Sequence, residues 1–154
     1  MIENRLSSLD ERRMGIQDIL GEAILLGQSD AIIAADKEGA IIFWNPGAER
    51  IFGHSSAEAI GRSLDIIIPV GLQKRHWDGY HRVMESGESR YGHGDVLAVP
   101  GIAKDGRRLS LEFTIIPLRD RTKALIGLAA IMRDVTKRFE EARALKRKLA
   151  EITK

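Results

Sequence analysis

Residues 31–45 read AIIAADKEGAIIFWN, two short apolar runs joined by a polar turn. The apolar run 31–35 is short and bounded by a turn, which predicts a buried strand. The turn DKEG follows, with Gly39 placed where a positive φ is wanted. The second apolar run, 40–44, then returns antiparallel to the first, so the stretch predicts a β-hairpin.

The rest of the central region, about 24–134, mixes short helices with strands. Asn45 and Pro46 begin a helix, because asparagine caps free amides and proline suits the first helical position. Ser55 and Glu58 form a capping box for a second helix, and a longer helix ends near Gly87. Three antiparallel strands are predicted at about 91–101, 109–116 and 124–132. This order predicts an α+β fold, a sheet with helices on one face.

Both ends of the chain carry apolar residues at alternating spacings of four and three, which is typical of paired helices. Segments of two or three heptads are too short to stand alone, so we expect 1–23 and 135–154 to pair in a homodimer. The alternative is that each helix covers the apolar surface of the central domain, 24–134. The two seams are Ile2, Leu6, Leu9, Arg13, Ile16, Leu20 and Ala23, then Val135, Arg138, Ala142, Leu145, Leu149 and Ile152.

Composition excludes several classes of protein. The 154 residues include no cysteine, which excludes a disulfide framework, thiolate ligands and a cysteinyl flavin adduct, and suits a reducing cytoplasm. No apolar run approaches the roughly 20 residues of a membrane span. The net charge is +2, and the basic excess near the C-terminus is typical of a solvated helix face, so we do not expect nucleic-acid binding.

The ordered set of short motifs resembles the PAS sensory domain over about 110 residues. The motifs that carry the resemblance are 33–36 (IAAD), 39–45 (GAIIFWN), 48–53 (AERIFG), 58–61 (EAIG), 104–106 (KDG) and 133–136 (RDVT). The resemblance implies a five-stranded antiparallel sheet with one cupped face. It also implies signal transduction rather than catalysis, with 133–136 leading into a C-terminal output helix.

His76 is the candidate functional residue. On a helix it shares a stripe with Leu72, Tyr80 and Val83, whereas His81 lies on a charged face, so we expect His76 to point inward and His81 outward. The simplest interpretation of His76 is a buried histidine hydrogen-bonded to a backbone carbonyl.

Resemblance to heme-binding PAS domains of the FixL oxygen-sensor type implies a second interpretation, in which His76 ligates the iron of heme b. In those domains a helix histidine is followed closely by Asp-x-Tyr, as in 76–80 (HWDGY), although Trp77 is an extra residue here. Neutral imidazole is a good iron ligand. The expected cofactor contacts are Tyr80, Arg82, Val83, Arg90, Val96, Leu97, Leu111 and Phe113. The further slot residues are Ile66, Ile67, Ile68, Leu72, Ile115 and Leu128, with Arg75 as another partner for the propionates.

FixL-type sensors place an arginine on the strand after the ligating helix, where this chain offers Val96 or Leu97. An apolar side there favours carbon monoxide or nitric oxide over dioxygen, or a protein side chain as sixth ligand. His93 is the nearest candidate for that position, and a turn-exposed histidine is its alternative.

Three other functions compete with a heme gas sensor. One is a ligand-free PAS dimerisation or interaction module, and another is a flavin-binding redox PAS domain. An enzyme is not expected, because His76 and His81 diverge on the helix and no nucleophile accompanies Asp78. The output is expected to lie on a partner protein or on another part of a longer protein.

Overall fold

The computed structural model describes residues 15–88 and 96–153. In that part of the chain, five antiparallel strands form one sheet in the order β2-β1-β5-β4-β3, with helices packed on one face, so the predicted α+β fold is confirmed. The elements are α1 (15–25), β1 (Ala31–Asp36), β2 (Ile41–Trp44), α2 (Pro46–Phe52), α3 (Ser56–Ala59), a 3-10 helix (Leu64–Ile67), α4 (Val70–Ser86), β3 (Leu97–Ile102), β4 (Arg108–Arg119), β5 (Leu125–Asp134) and α5 (Thr136–Ile152).

The predicted hairpin is the β1–β2 pair. Asp36 Oδ1 accepts hydrogen bonds from the backbone N–H groups of Glu38 and Ala40, and Gly39 takes a φ of 84°. β1 lies between β2 and β5 and pairs with both. Its apolar residues therefore sit in the middle of the sheet, which explains why 31–35 are all buried.

Helices α2 and α3 begin as their sequences predict. Asn45 Oδ1 accepts a hydrogen bond from Ala48 N at 2.8 Å, and Gly53 ends α2 in the left-handed region. Ser55 and Glu58 complete a reciprocal capping box at α3. These two short helices are thus fixed by local hydrogen bonds as well as by packing.

The core lies between the helices and one face of the sheet. Phe52, Ile33 and Ile41 are among its most completely buried side chains. Its buried members are Ala31, Ile33, Ala35, Ile41, Trp44, Ala48, Ile51, Phe52, Ala59, Leu64, Ile67, Tyr80, Val83, Ala103, Leu109, Leu111 and Leu128.

Strand β4 is longer than the predicted 109–116 and continues through Pro117. Within the described residues, β3 pairs with β4 only as far as Phe113, so the missing N–H of Pro117 leaves no β3 partner unsatisfied. β3 itself is observed at Leu97–Ile102, and the first part of the predicted strand, 91–95, lies outside the described residues.

The apolar residues of α1 and α5 are exposed. Leu20 is 56% exposed, and Leu145 is 66% exposed. Residues 15–25 and 136–152 therefore do not bury these apolar side chains against the central domain, as the alternative interpretation required. Residues 1–14 lie outside the described residues. None of the helices in the described ranges is long and apolar enough to cross a membrane.

Candidate functional site

Helix α4 presents an aromatic face to the core. Tyr80 and Val83 are buried as predicted, and Trp77 and Met84 pack against the same core. Leu72 is only half-buried. Trp77 is half-buried as well, so the inward face is wider than the predicted stripe and includes this large indole.

Two polar contacts hold this face in place. Trp77 Nε1 donates a hydrogen bond to Asp65 Oδ1 at 2.7 Å, and the Tyr80 hydroxyl donates to the carbonyl of Asp36. Burial and the nearby charge of Asp36 raise the pKa of Tyr80, so its hydroxyl stays protonated. α4 is thereby tied to the 3-10 helix and to the end of β1.

His76 lies beside these aromatic residues. Its ring centroid is 4.7 Å from that of Trp77 and 5.8 Å from that of Tyr80. Its Nδ1 is buried and has no hydrogen-bond partner in the described structure, so the predicted bond to a backbone carbonyl is not formed at that atom. Burial lowers the pKa of His76, against the opposing charge of Asp65, and favours the neutral imidazole. His81 is exposed, as predicted.

A neutral imidazole with a buried, unpaired nitrogen fits the donor chemistry that heme requires. The expected apolar lining residues are also present, but their side chains pack against one another in the core. Ile67, Val83, Leu111 and Leu128 are buried in the core, and Ile66, Ile68 and Ile115 pack against it. The residues therefore fit heme by type, and a macrocycle would enter only by displacing some of these side chains.

Two cavities open elsewhere on the described surface, and neither is lined by His76. One, of about 520 Å³, is lined by Asp30, Arg50, Arg133 and their neighbours. The other, of about 380 Å³, lies between Phe52 and the β3–β4 turn. In residues 15–88 and 96–153, no group of three His, Asp or Glu side chains is placed to hold a metal ion.

The remaining predicted contacts divide into two groups. Leu97 and Phe113 are opposite partners in the β3–β4 register and are half-buried. Val96 is 60% exposed. Arg82 is exposed, with its Nε donating to the Asp78 carbonyl, and Arg75 is exposed too. Arg90 and His93 lie outside the described residues.

The predicted connection to α5 is built from several hydrogen bonds. Val135 N donates to the Ser110 carbonyl at 2.9 Å, and Ser110 N donates to Thr136 Oγ1 at 3.0 Å. In the same turn, Arg138 Nη2 pairs with Glu112 Oε1 at 2.6 Å. The first turn of α5 is thus fixed to β4.

Sequence reasoning missed one buried polar residue. His54 is 7% exposed, and neither ring nitrogen has a hydrogen-bond partner among the described residues. Burial and the charges of Arg62 and Lys104 lower its pKa, with Glu58 acting in the opposite direction. A histidine between Gly53 and the Ser55 cap gives no periodic signal, so only the tertiary structure places it in the core.

A family model described as the PAS fold matches residues 27–140. That match covers β1 to β5 and the start of α5, which is well over half of the chain. The chain belongs to the PAS family. The predicted resemblance is confirmed, and so is a place among signalling and sensor domains.

Several curated proteins are similar to this chain, and three of them are described here. An uncharacterized protein of Azorhizobium caulinodans is 34% identical over 88% of this chain and 19% of its own length. Oxygen sensor protein DosP of Escherichia coli is 26% identical over 78% of this chain and 13% of its own. Sensor protein FixL of Bradyrhizobium diazoefficiens is 33% identical over 56% of this chain and 17% of its own length. The chain spans less than a fifth of the length of these relatives.

Solved structures agree with the PAS assignment. The PAS domain of a protein from Colwellia psychrerythraea superposes with a TM-score of 0.67 at 26% identity, covering 79% of this chain and 98% of that one. An RNA-binding light-oxygen-voltage receptor superposes with a TM-score of 0.66 at 22% identity, covering 87% and 37%, and shows the fold alone.

Proposed function

We propose that this PAS domain is a gas or redox sensor in which His76 holds heme on α4 and α5 carries the signal out. The single observation that carries the proposal is the buried, unpaired Nδ1 of a neutral histidine beside the core. Leaving a buried polar atom unpaired costs about 1–3 kcal/mol, so such an atom calls for a functional or structural reason. The names of two relatives, an oxygen sensor and FixL, support this choice of ligand class.

In this proposal each residue has a limited role. His76 holds the iron, and Leu97, Leu111 and Phe113 supply the apolar face of the sheet. Heme, when bound, supplies an iron that takes a diatomic ligand. Arg82 and Arg90 remain the expected partners of the propionates. We expect a change in the core to shift β4, because Leu111 and Phe113 lie on this strand.

The output step is local and mechanical. Ser110 and Glu112 alternate with Leu111 and Phe113 on β4, and they hold the first turn of α5 through Thr136 and Arg138. A shift of β4 that follows a change in the core therefore moves the start of α5. Packed elements of this kind change between discrete arrangements, which suits a switch.

We infer that α5 pairs with α5 of a second copy. Its exposed seam is Arg138, Ala142, Leu145, Leu149 and Ile152. In a parallel pair, Glu141 and Lys146 take the flanking positions that meet across the interface, and their charges are opposite. The charge pattern and the exposed seam together support a homodimer, with the output on a partner or on the rest of a longer protein. We expect no catalysis by this domain.

The deciding experiment is an absorption spectrum of the chain expressed with heme supplied. The parent chain and His81→Ala are expected to show a strong Soret band, and His76→Ala is expected to lose it. His81 is the matched control, because it lies on the same helix and is exposed. Equal heme retention in the parent and His76→Ala would contradict ligation by His76.

A ligand-free PAS dimerisation module is the second candidate, and the closed core favours it. It predicts no Soret band in any of the three proteins, with the dimer preserved in all of them. The flavin-binding redox PAS alternative predicts flavin absorption in the same spectra, at wavelengths distinct from the Soret band. One set of samples therefore separates the three.

A further inference from the structure

Four of the five residues between α1 and β1, 27–30, are each held by a side chain from elsewhere in the domain. Asn45 Nδ2 donates to the carbonyls of Gly27 and Asp30, at 3.1 and 3.0 Å. Arg50 donates to the two carbonyls between them, from Nε to Gln28 at 2.7 Å and from Nη2 to Ser29 at 2.8 Å. Linkers on a surface normally bond to water. Residues 27–30 are instead bound by α2 and by its cap, Asn45.

The linker also lies in direct contact with the backbone of α2. Gly47 N donates to the Gly27 carbonyl at 3.1 Å. A Cβ on Gly47 would stand 1.9 Å from the Asp30 carbonyl oxygen, so only glycine allows this approach. Asn45 itself is buried, and its Oδ1 accepts from Ile32 N and Ala48 N. The linker is therefore part of the rigid core structure.

The same linker reaches the strand that leads into α5. Arg133 donates to the Asp30 carboxylate from Nε at 3.0 Å and from Nη2 at 2.9 Å, in a two-point ion pair. This pairing lowers the pKa of Asp30, which therefore stays ionised. Arg133 precedes Val135 and Thr136, which fix α5 to β4. The ends of α1 and the start of α5 thus share one network.

We infer that residues 27–30, with Asn45, Arg50 and Arg133, form a coupler that makes the start of α5 follow the position of α1. This coupler is a second input, by which a movement of the N-terminal helix reaches the output helix. Its contacts involve α2, β1 and β5, and none of those described touches α4. It therefore operates whether or not His76 holds a ligand.

The absence of cysteine from the chain allows a direct test. Spin labels at Asp18→Cys on α1 and Arg147→Cys on α5 report the distance between the helices, in labelled chain diluted with excess unlabelled chain. The parent is expected to give one narrow distance distribution. Arg50→Ala and Arg133→Ala are expected to broaden it, and the double variant is expected to broaden it further.

Glu49→Ala is the matched control, because Glu49 is exposed on α2 next to Arg50. It is expected to leave the distribution narrow. Amide exchange of the β1–β5 ladder is measured in the same samples and is expected to be unchanged, which separates loss of coupling from loss of fold. An unchanged distribution in Arg50→Ala overturns the coupler. Because Arg50 is exposed, this single variant decides the matter even if the double variant unfolds.

Discussion

Trp77 lies over Gly39 so closely that a Cβ at that glycine would stand 2.1 Å from Cη2 of the indole. The contact joins α4 to the β1–β2 turn, on the side of the helix that carries the candidate ligand. The indole cannot withdraw without losing its hydrogen bond to Asp65. The hairpin turn and α4 therefore constrain each other.

Gly39→Ala is expected to lower the free energy of unfolding by two separate effects. A left-handed φ costs a non-glycine residue about 1–2 kcal/mol, and the overlap with Trp77 adds about 1–3 kcal/mol. Urea unfolding measures the sum. Gly61→Ala is the control, since Gly61 has the same φ of 84° and nothing within 4 Å of its added Cβ. Equal losses in the two variants would mean that Trp77 can move aside freely.

The stability of the domain is expected to fall in acid because of its buried histidines. Burial lowers the pKa of His54, as do Arg62 and Lys104, while Glu58 and the backbone of Ile66 act in the opposite direction. The unfolded chain therefore takes up protons first as pH falls below about 6.5, and the folded state loses stability from there downward.

Urea unfolding at about pH 8 and about pH 5 measures this loss. His54→Phe keeps an aromatic ring near Trp44 and removes the titrating group. It is therefore expected to reduce the difference in the free energy of unfolding between the two pH values. His81→Phe is the comparison, because His81 is exposed. The prediction for His54 fails if both variants keep the full pH dependence of the parent.

Thr136→Val is expected to loosen the start of α5. The hydroxyl accepts a hydrogen bond from Ser110 N, and its loss leaves that half-buried amide unpaired, at about 1–2 kcal/mol. Amide exchange at Ser110 and along α5 is expected to accelerate. Thr153→Val removes a hydroxyl that bonds to the Leu149 carbonyl at the exposed end of the same helix, and is expected to change little. Similar exchange in both variants would remove Thr136 from the output connection.

Leu145→Glu is expected to weaken the homodimer. In the single protomer Leu145 is exposed, and it lies in the centre of the apolar seam of α5. A charge there raises the dissociation constant at least about tenfold, equivalent to about 1.4 kcal/mol. Sedimentation velocity over a range of concentrations measures it. Arg147→Glu, on the opposite face of α5, is expected to leave the dimer intact. A parent chain that stays monomeric at all concentrations contradicts pairing through this helix.

Most elements of the fold could be predicted from local sequence patterns. The hairpin at 31–45, the Asn45 cap and the Ser55–Glu58 capping box all form as their residue types predict. These features depend on contacts within a few residues, so the sequence alone specifies them. The extension of β4 through Pro117 was not predicted, because it depends on the pairing of residues 116–118 with β5, which is distant in sequence.

Local sequence patterns predicted only part of the candidate site. Periodicity placed His81 outside and Tyr80 and Val83 inside, as observed. It did not show that Trp77 would take the space beside His76, because that depends on Gly39 and Asp65, which are distant in sequence. The burial of His54 and the ion pair of Asp30 with Arg133 likewise require segments that only folding brings together. Short-range hydrogen bonds and apolar spacing specify the order of the elements and the caps of α2 and α3, so both could be predicted before the structure was known. Folding was needed to show which side chains fill the core and that Asp30, after α1, pairs with Arg133, before α5, because these contacts join segments that are distant in sequence.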